Sequence, residues 1–384
     1  MNGVNTLSVL RGIRILDFTQ ILSGPFATML LADAGAEVVK LERPDGDPTR
    51  HWGPPFIGGE SVYFAAFNRG KKSVQLDLKR PDDLGIVRQL ALAADVLIEN
   101  IRPGSLEKYG LGAAELRKVH PGLIYVSIRG YSEFSRRAND PGLEVMLEAE
   151  SGLMSITGPG EDGMPVRLGV AAIDMMTGLL AVSCVYSALL QRERTGEGAY
   201  ISVSLEETAA LLMTHPWLMY LAGNVEYKAA GTEHPNIAPY EMFSTMDRPL
   251  ILGAVDDQQF RRLAHALGHP EWPQKSEWAT NEARVADRRH LHESIEKELV
   301  TRTAEHWKNT FTRANLPVAI VESVSSAATK WAMSKVPRIT ARHPTMGLLS
   351  WPTSPWKKYG GEMTGPPVLG NATDEVLRTW LEGR

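Results

Sequence analysis

Short apolar runs and longer segments with helical spacing alternate through the first half of the chain. The runs are rich in Val, Ile and Leu, as is typical of strands that are buried on both faces. They occur at Ile13–Asp17, Glu37–Glu42, Ser73–Leu78, Asp95–Glu99, Leu123–Ile128 and Ala199–Leu205. Helical spacing is found from Ser23 to about Ala34, from Pro81 onward and over Ala113–Val119. This alternation predicts parallel βαβ units, and therefore an α/β fold with a doubly wound sheet.

The pattern changes after Leu205. A segment rich in Leu, Met and Trp predicts a helix from Glu206 to Leu221, and Gly231–Pro239 has the composition of a loop. Residues 240–320 contain one strand-like run, Pro249–Val255, together with several helical runs, which favours a second, smaller domain. From about Ser323 the chain is rich in Pro, Gly and Trp, and few periodic segments precede its last helix-like stretch.

Length and composition are those of an ordinary globular protein. The chain has 384 residues, of which 43% are hydrophobic and 22% are charged, and this length is typical of about two domains. The formal net charge of −4 argues against a nucleic-acid partner, which requires a basic surface. The single cysteine excludes a disulfide framework and fits a reducing compartment.

The sequence gives no sign of a targeting or membrane segment. Its first ten residues lack a basic stretch followed by a long apolar one. No apolar run reaches the roughly 20 residues of a membrane span without polar interruption. We therefore expect a cytoplasmic protein without a membrane partner.

Asp174 is the candidate nucleophile. It stands at the start of a long apolar helical run, Met175–Leu190, which also contains the only cysteine, Cys184, and no serine lies in a Gly-x-Ser-x-Gly elbow. An aspartate can form acyl intermediates, so it is the natural candidate if the chemistry is covalent. The structural alternative is a helix cap, which is the common role of aspartate at this place.

No metal site is expected. His290 and His292 are two residues apart on a helical segment, so they do not share a face and cannot form a pair of zinc ligands. Both are predicted to be surface residues.

Several segments together resemble the class III CoA-transferase family, which includes formyl-CoA and carnitine CoA-transferases and the α-methylacyl-CoA racemases. The resemblance follows their order and spacing over nearly the whole chain. The segments are Leu16–Pro25, Gly35–Arg43, Asn68–Lys79, Asp95–Gly104, Asp174 with its helix, Arg194–Gly198, His234–Tyr240, Trp278–Val285 and Pro366–Val376.

The resemblance implies a domain layout and an assembly. Family members have a Rossmann-like large domain and a small α+β domain, and they form interlocked homodimers of two ring-like chains. The implied divisions are a large CoA-binding domain at 1–205, a linker at 206–230, a small domain at 231–321, and a C-terminal segment at 322–384 that returns to the large domain.

It also implies that coenzyme A or acyl-CoA binds as a substrate, with no permanently bound cofactor. CoA carries several phosphate charges, which Arg and Lys side chains bind well. The family's CoA-contacting positions fall on Arg43, Lys79 and Lys108. Those that line the adenine and pantetheine path fall on Ile21, Leu22, Leu76, Asn100, Ile101 and Leu205. Taken singly, each of the three cations could be an ordinary solvated surface charge.

By the same resemblance, Asp174 is the catalytic nucleophile and Glu144 has a supporting catalytic role. CoA would pass from an acyl-CoA thioester to a carboxylic acid through a covalent aspartyl intermediate. The alternative is an acyl-CoA racemase of the same superfamily. Racemases place a histidine where this chain has Leu143, and leucine cannot transfer a proton.

Overall fold

The structure is a computed structural model that describes residues 8–160 and 163–382. The expectation that no leader segment is present rests largely on residues 1–7, which lie outside the described residues. The strands are β1 (Arg14–Asp17), β2 (Glu37–Glu42), β3 (Phe56–Ile57), β4 (Glu60–Ser61), β5 (Lys71–Gln75), β6 (Val96–Glu99), β7 (Ile124–Arg129), β8 (Tyr200–Ser204), β9 (Tyr240–Phe243), β10 (Leu250–Gly253), β11 (Val318–Ile320), β12 (Arg338–His343), β13 (Gly347–Pro352) and β14 (Gly361–Glu362).

The α-helices are α1 (Ser23–Asp33), α2 (Val62–Phe67), α3 (Pro81–Ala93), α4 (Ala113–Val119), α5 (Glu144–Glu150), α6 (Ala172–Thr195), α7 (Leu205–Leu212), α8 (Thr214–Gly223), α9 (Asp257–Ala266), α10 (Asn281–Ala286), α11 (Arg288–Leu299), α12 (Ala304–Arg313), α13 (Val324–Met333) and α14 (Thr373–Leu377). Short 3-10 helices lie at Pro48–His51, Glu107–Tyr109, Met154–Ile156, Trp272–Gln274 and Pro355–Lys357, and a π-helical turn lies at Arg378–Glu382.

The described chain divides into two compact units, each assembled from separate segments. The first runs to Leu153 and continues with Arg167–Gly223 and the part from Pro337 onward. The second consists of described residues between Met154 and Val166 together with Asn224–Val336. The chain therefore passes between the units several times.

A six-stranded sheet in the order β5-β2-β1-β6-β7-β8 forms the centre of the first unit. All of its strand pairs are parallel. This confirms the predicted α/β fold with a large parallel sheet. If the short hairpin β3–β4 is left out and the remaining strands are numbered along the chain, their order is 3-2-1-4-5-6. This is the order of a doubly wound sheet, and it changes direction between the first and the fourth strand.

Successive residues of each central strand enter two different cores, because side chains alternate across a sheet. Ile15 and Val38 are buried on the face covered by α1 and α6. Their neighbours Leu16 and Val39 are buried on the opposite face, with α3 and the C-terminal Trp380. Both faces are covered, which explains why the strands are continuous apolar runs rather than alternating ones.

Among the described helices, only α6 has the length and apolar composition of a membrane span. It has 24 residues and packs along α1 in the core of the first unit, with Ile173, Ala181 and Val185 fully buried. A core helix of a globular domain passes the same test of length and composition, so this helix is weak evidence for a membrane span.

Two segments differ from the sequence-based expectations. The helix expected from Glu206 to Leu221 is divided into α7 and α8 at Met213. Pro216 lies in the first turn of α8 and has no N–H to continue an earlier helix. The tail, with few periodic segments expected, contains the antiparallel hairpin β12–β13, and β14 pairs with β12 in parallel.

The second unit contains a three-stranded antiparallel sheet in the order β11-β10-β9. It packs against α9, α11 and α12 around a core that contains Phe243, Phe260 and Trp278. His290 is exposed, as expected, whereas His292 is only partly exposed and lies 2.8 Å from a carboxylate oxygen of the buried Glu241.

We expect Gly178→Ala to destabilise the first unit. A β-carbon at Gly178 would lie 2.6 Å from the carbonyl oxygen of Ser23 and 3.1 Å from Phe26, so α1 and α6 would have to move apart. Alanine adds about 1 kcal/mol of helix propensity, but overpacking of a core costs about 1–3 kcal/mol. The Tm measured by thermal unfolding should therefore fall. Gly85→Ala in α3 is the matched control, because a β-carbon there meets nothing within 4 Å; its Tm should rise. Equal gains in Tm for both variants would contradict this packing.

Candidate active site

The candidate site begins at the ends of the two strands between which the strand order changes direction. In open α/β sheets, ligands bind outside the carboxyl ends of the strands at this point. Here the two strands are β1 and β6, which are paired side by side. The loop after β1 carries Ile21 and Leu22, and the residues after β6 are Asn100 and Ile101. Four of the residues predicted to contact CoA therefore lie at the position that the topology favours for a ligand.

Asn100 joins these two loops. Its side-chain oxygen accepts the N–H of Gln20 at 2.8 Å, and its side-chain nitrogen donates to the carbonyl oxygen of Gln20 at 2.7 Å. The next residue, Ile21, has a φ of 69°, which is rare for a β-branched residue and costs roughly 1–3 kcal/mol. The two hydrogen bonds from Asn100 to Gln20 hold the neighbouring backbone in place, so Ile21 can keep its positive φ.

Buried charges hold the loop from below. Asp17, at the end of β1, accepts the N–H and the hydroxyl of Thr19 at 2.8 and 2.6 Å. Lys40 donates to the Thr19 carbonyl oxygen at 2.7 Å, and Lys71 lies 3.2 Å from Asp17. Burial alone would raise the pKa of Asp17, but Lys71 and Lys40 hold it below its usual value.

A pocket of about 220 Å³ lies beside these loops. It brings together four of the predicted residues: Arg43, Leu76, Lys79 and Ile101. The side chains of Arg43 and Lys79 are exposed, while Leu76 is buried. The pocket therefore has an apolar floor with two cations at its edge, a combination that suits a phosphate-bearing ligand with an apolar part.

The other predicted residues lie elsewhere in the first unit. Lys108 is exposed on the short 3-10 helix Glu107–Tyr109 and is not among the residues that line this pocket. Leu205 is buried in the core at the start of α7, after the edge strand β8. Leu22 is also buried and precedes the first turn of α1, whereas Ile21 is half-buried.

Asp174 is the third residue of α6, in its first turn, and not the residue that caps the helix. The cap position is Ala171, which provides no side-chain hydrogen bond. Burial raises the pKa of Asp174 to about 6, and a hydrogen bond with Ser23 opposes this rise. A helix N-terminus favours an ionised carboxylate, but here burial has the larger effect. The group is still ionised at neutral pH and is more basic than an ordinary aspartate.

The candidate nucleophile and the pocket are joined by a short stretch of chain. Gln20 lines the pocket, and Ser23, only three residues further on, contacts Asp174. Three residues span at most roughly 10 Å. A ligand that extends from the pocket along this loop can therefore reach the carboxylate.

Glu144 is the first residue of α5 and is buried. Burial, Glu148 and Asp174 raise the pKa of Glu144 to about 7, and the N–H of Ile173 opposes this rise by donating to its carboxylate. The capping interaction considered for Asp174 is thus made by Glu144, which binds a free N–H of the first turn of α6.

Tyr63 lies close to the candidate nucleophile and was not predicted from the sequence. It lies on α2, where its ring contacts Trp52 and Phe67 with centroids 5.2 and 5.5 Å apart. Burial and the nearby carboxylates of Asp174, Asp47 and Glu144 raise its pKa to about 12. Its phenol is therefore a neutral hydrogen-bond donor close to the candidate nucleophile. In the sequence it stands in an ordinary apolar segment, and no spacing relates it to Asp174.

Two further observations concern the single cysteine and possible metal ligands. Burial raises the pKa of the Cys184 thiol, which makes it a poor nucleophile. Within residues 8–160 and 163–382, no group of three or more His, Cys, Asp or Glu side chains is placed to hold a metal ion.

The chain is similar to known proteins over nearly its whole length. Succinyl-CoA:glutarate CoA-transferase of Mus musculus is 39% identical over 383 residues, which cover 98% of this chain and 87% of the mouse protein. Acetyl-CoA:oxalate CoA-transferase of Acetobacter aceti is 35% identical over 366 residues, which cover 93% and 92% of the two chains. The crystal structure of a CAIB/BAIF family protein from Brucella suis matches with a TM-score of 0.86 at 32% identity, and the match covers 97% of this chain and 99% of that one.

Relatives of this identity and coverage are CoA-transferases, so the protein is an enzyme of that class, and its substrates are CoA thioesters. The chain belongs to CoA-transferase family III, which it matches over residues 10–373. The family resemblance seen in the sequence is confirmed.

Proposed function

We propose that the protein transfers CoA from an acyl-CoA thioester to a carboxylic acid, with Asp174 as a covalent nucleophile and Glu144 as a supporting catalytic residue. The carrying observation is the position of Asp174. Its side chain is half-buried, its carboxylate remains ionised at neutral pH, and it contacts Ser23 at the end of the loop that starts in the candidate CoA pocket.

The first half-reaction loads CoA onto the enzyme. A carboxylate oxygen of Asp174 attacks the thioester carbonyl, the C–S bond breaks, and CoA leaves as a thiolate from an acyl–aspartyl anhydride. The thiolate attacks the aspartyl carbonyl, and the acyl group leaves as a free carboxylate. The product is an aspartyl–CoA thioester.

The second half-reaction repeats these steps in reverse order. The acceptor carboxylate attacks the aspartyl thioester and expels the thiolate, which then attacks the acyl carbonyl of the new anhydride. The Asp174 carboxylate is regenerated and a new acyl-CoA leaves. Protons balance without a net acid or base, which agrees with the absence of a titratable side chain at the exposed Leu143 and disfavours the racemase alternative.

The substrates are proposed to be dicarboxylic acids and their CoA thioesters. The mouse relative is named for succinyl-CoA and glutarate, and the Acetobacter relative for oxalate. Each of these acids presents one carboxylate for the transfer and a second one for recognition. Succinyl-CoA with glutarate is therefore the first pair to assay.

Asp174→Asn should abolish this transfer, because an amide cannot form the anhydride or the thioester. The residue is not the helix cap, so the fold should persist with at most the roughly 0.5–2 kcal/mol loss of a terminal helix interaction. With the wild type, hydroxylamine added during turnover should convert Asp174 to a hydroxamate that mass spectrometry locates.

Two controls make this result specific. Without acyl-CoA the wild type should not be modified at Asp174, and the asparagine variant should still bind CoA. Transfer at the wild-type rate by Asp174→Asn would show that the covalent mechanism is wrong.

CoA is proposed to bind in the pocket of Arg43 and Lys79, with Leu76 and Ile101 along its apolar part. A hydrogen bond to a charged group contributes about 1.5–3 kcal/mol, so Arg43→Ala should weaken CoA binding by roughly one to two powers of ten. Isothermal titration calorimetry with CoA measures this. Arg261→Ala, an exposed arginine of the second unit, is the control and should bind CoA normally. An unchanged affinity of Arg43→Ala would leave Arg43 as a surface charge.

We also propose that the chain forms the interlocked homodimer of its family, with the two units as the large and small domains. Two features support this proposal. The chain passes repeatedly between the units. Helices α7 and α8 also expose large apolar side chains, including Leu211, Leu218 and Leu221, more than a free surface normally carries.

Light scattering tests the assembly. An interlocked pair should keep twice the 42.3 kDa mass of one chain on dilution, because the chains cannot separate without unfolding. A folded single chain at low concentration would contradict it.

A further inference from the structure

The helix α5 places two carboxylates side by side within the protein. Glu144 and Glu148 are one helical turn apart, so their side chains extend from the same face. Their exposed fractions are 8% and 0%. Buried carboxylates are normally paired with a cation or satisfied by several hydrogen bonds, so the surroundings of this pair decide its charge.

Each carboxylate has one backbone donor. The N–H of Leu168 donates to Oε2 of Glu148 at 3.0 Å, and the N–H of Ile173 donates to Glu144. The Oε1 atoms of both glutamates are buried without a hydrogen-bond donor from the described chain. The proximity of Glu148 contributes to the raised pKa of Glu144, so a hydrogen bond between the two side chains requires that one of them carries a proton.

Within the described chain, the charges that act on Glu144 are the carboxylates of Glu148 and Asp174. Arg167, the residue before the Leu168 that donates to Glu148, is exposed and donates to the Leu168 carbonyl oxygen. On α6 the facing group is Asp174, and on α2 it is the neutral phenol of Tyr63. On α7, which also packs against α5, Glu206 and Glu207 accept hydrogen bonds from Ser132, Ser135 and Ser204. The cation near the end of α5 is Arg137, which pairs with the exposed Glu150.

Two carboxylates in contact at a buried site cannot both be ionised, because the like charges repel and burial disfavours each of them. We infer that Glu144 and Glu148 share one proton, and that Glu148 is the positioning residue that keeps Glu144 in its acid form. The shared proton provides the missing hydrogen bond of the two buried Oε1 atoms, because the protonated oxygen donates to the other one.

The effect of this shared proton on catalysis rests on the proposed function. The acceptor acid and the released acid are both carboxylates, and they must approach the ionised Asp174. If Glu144 and Glu148 were also ionised, three negative charges would oppose them. The shared proton leaves the pair with one negative charge fewer, which weakens the repulsion of the incoming carboxylate and of the oxyanion that forms during attack.

The proton should leave the pair as the pH rises through about 7, the value to which burial and Glu148 raise the pKa of Glu144. The kcat/KM for glutarate, with succinyl-CoA as donor, should therefore fall on the alkaline side of neutrality. In Glu148→Gln the amide can donate to Glu144 and favours its ionised form. The alkaline limb of the profile should move about 1–2 pH units lower, and at pH 7 the KM for glutarate should rise several-fold.

A second measurement needs no turnover. A carboxyl group with a raised pKa stabilises the folded state most below its unfolded value of 4.5, and this contribution is lost as the pH rises through the folded value near 7. The excess Tm of the wild type over Glu148→Gln should therefore shrink between pH 5 and pH 8. Glu144→Gln, which removes the other member of the pair, should give the same trend. Glu150→Gln, on the exposed part of the same helix, should show a constant difference over this range.

The two measurements separate this inference from the proposed function. If the wild type transfers CoA but Glu148→Gln shifts neither the alkaline limb nor the pH dependence of Tm, the shared proton is refuted and the transfer activity stands. If the wild type transfers no CoA but the stability difference shrinks as described, the pair shares a proton and the proposed function is wrong. A Tm difference that is constant with pH for both Glu148→Gln and Glu144→Gln refutes the pair in either case.

Discussion

The buried ion pairs beneath the first strand are the constraint on which the rest of the site depends. Asp17, Lys40 and Lys71 are almost completely removed from solvent, and each is held by an opposite charge or a backbone carbonyl. Leaving one such charge unpaired costs about 3–5 kcal/mol. The network therefore fixes the loop that begins at Thr19, and that loop carries the backbone of Ile21 and the hydroxyl of Ser23 to their places.

The first unit contains carboxylates whose pKa values are shifted in opposite directions. Lysines lie beside Asp17 and hold its pKa low, so this group has only a structural role. Asp174 and Glu144 have no such partner, and burial raises their pKa values toward neutrality. Only the second kind can change its protonation near pH 7. Glu99, whose pKa burial raises to about 7, belongs to this kind as well, so a raised pKa alone does not identify a reactive carboxylate.

Much of the fold could be predicted because it depends on local signals. The strand Glu37–Glu42 and the helix that starts at Pro81 occur as their apolar runs and proline indicate. The hairpin β12–β13 was not predicted from its few apolar residues. Its strands are ordered by pairing with each other and by contacts such as the hydrogen bond from the Trp351 indole to the Ala65 carbonyl oxygen. In the site, the residues at the strand ends, such as Ile21 and Asn100, were implied by the family resemblance. Tyr63 had no such signal, because its proximity to Asp174 exists only in the folded chain. The spacing of Glu144 and Glu148 predicts that they share a helix face but not that both are buried.

The raised pKa of Asp174 lowers the stability of the fold at neutral pH and increases the nucleophilicity of the carboxylate. Because the folded value of about 6 lies above the ordinary 3.8, ionising this group at neutral pH costs folding free energy, which the paired charges and the two cores must supply. In return, a more basic carboxylate is a stronger nucleophile. A lysine beside Asp174 would recover the stability but would lower its basicity. The lack of such a partner is thus better explained by chemistry than by folding.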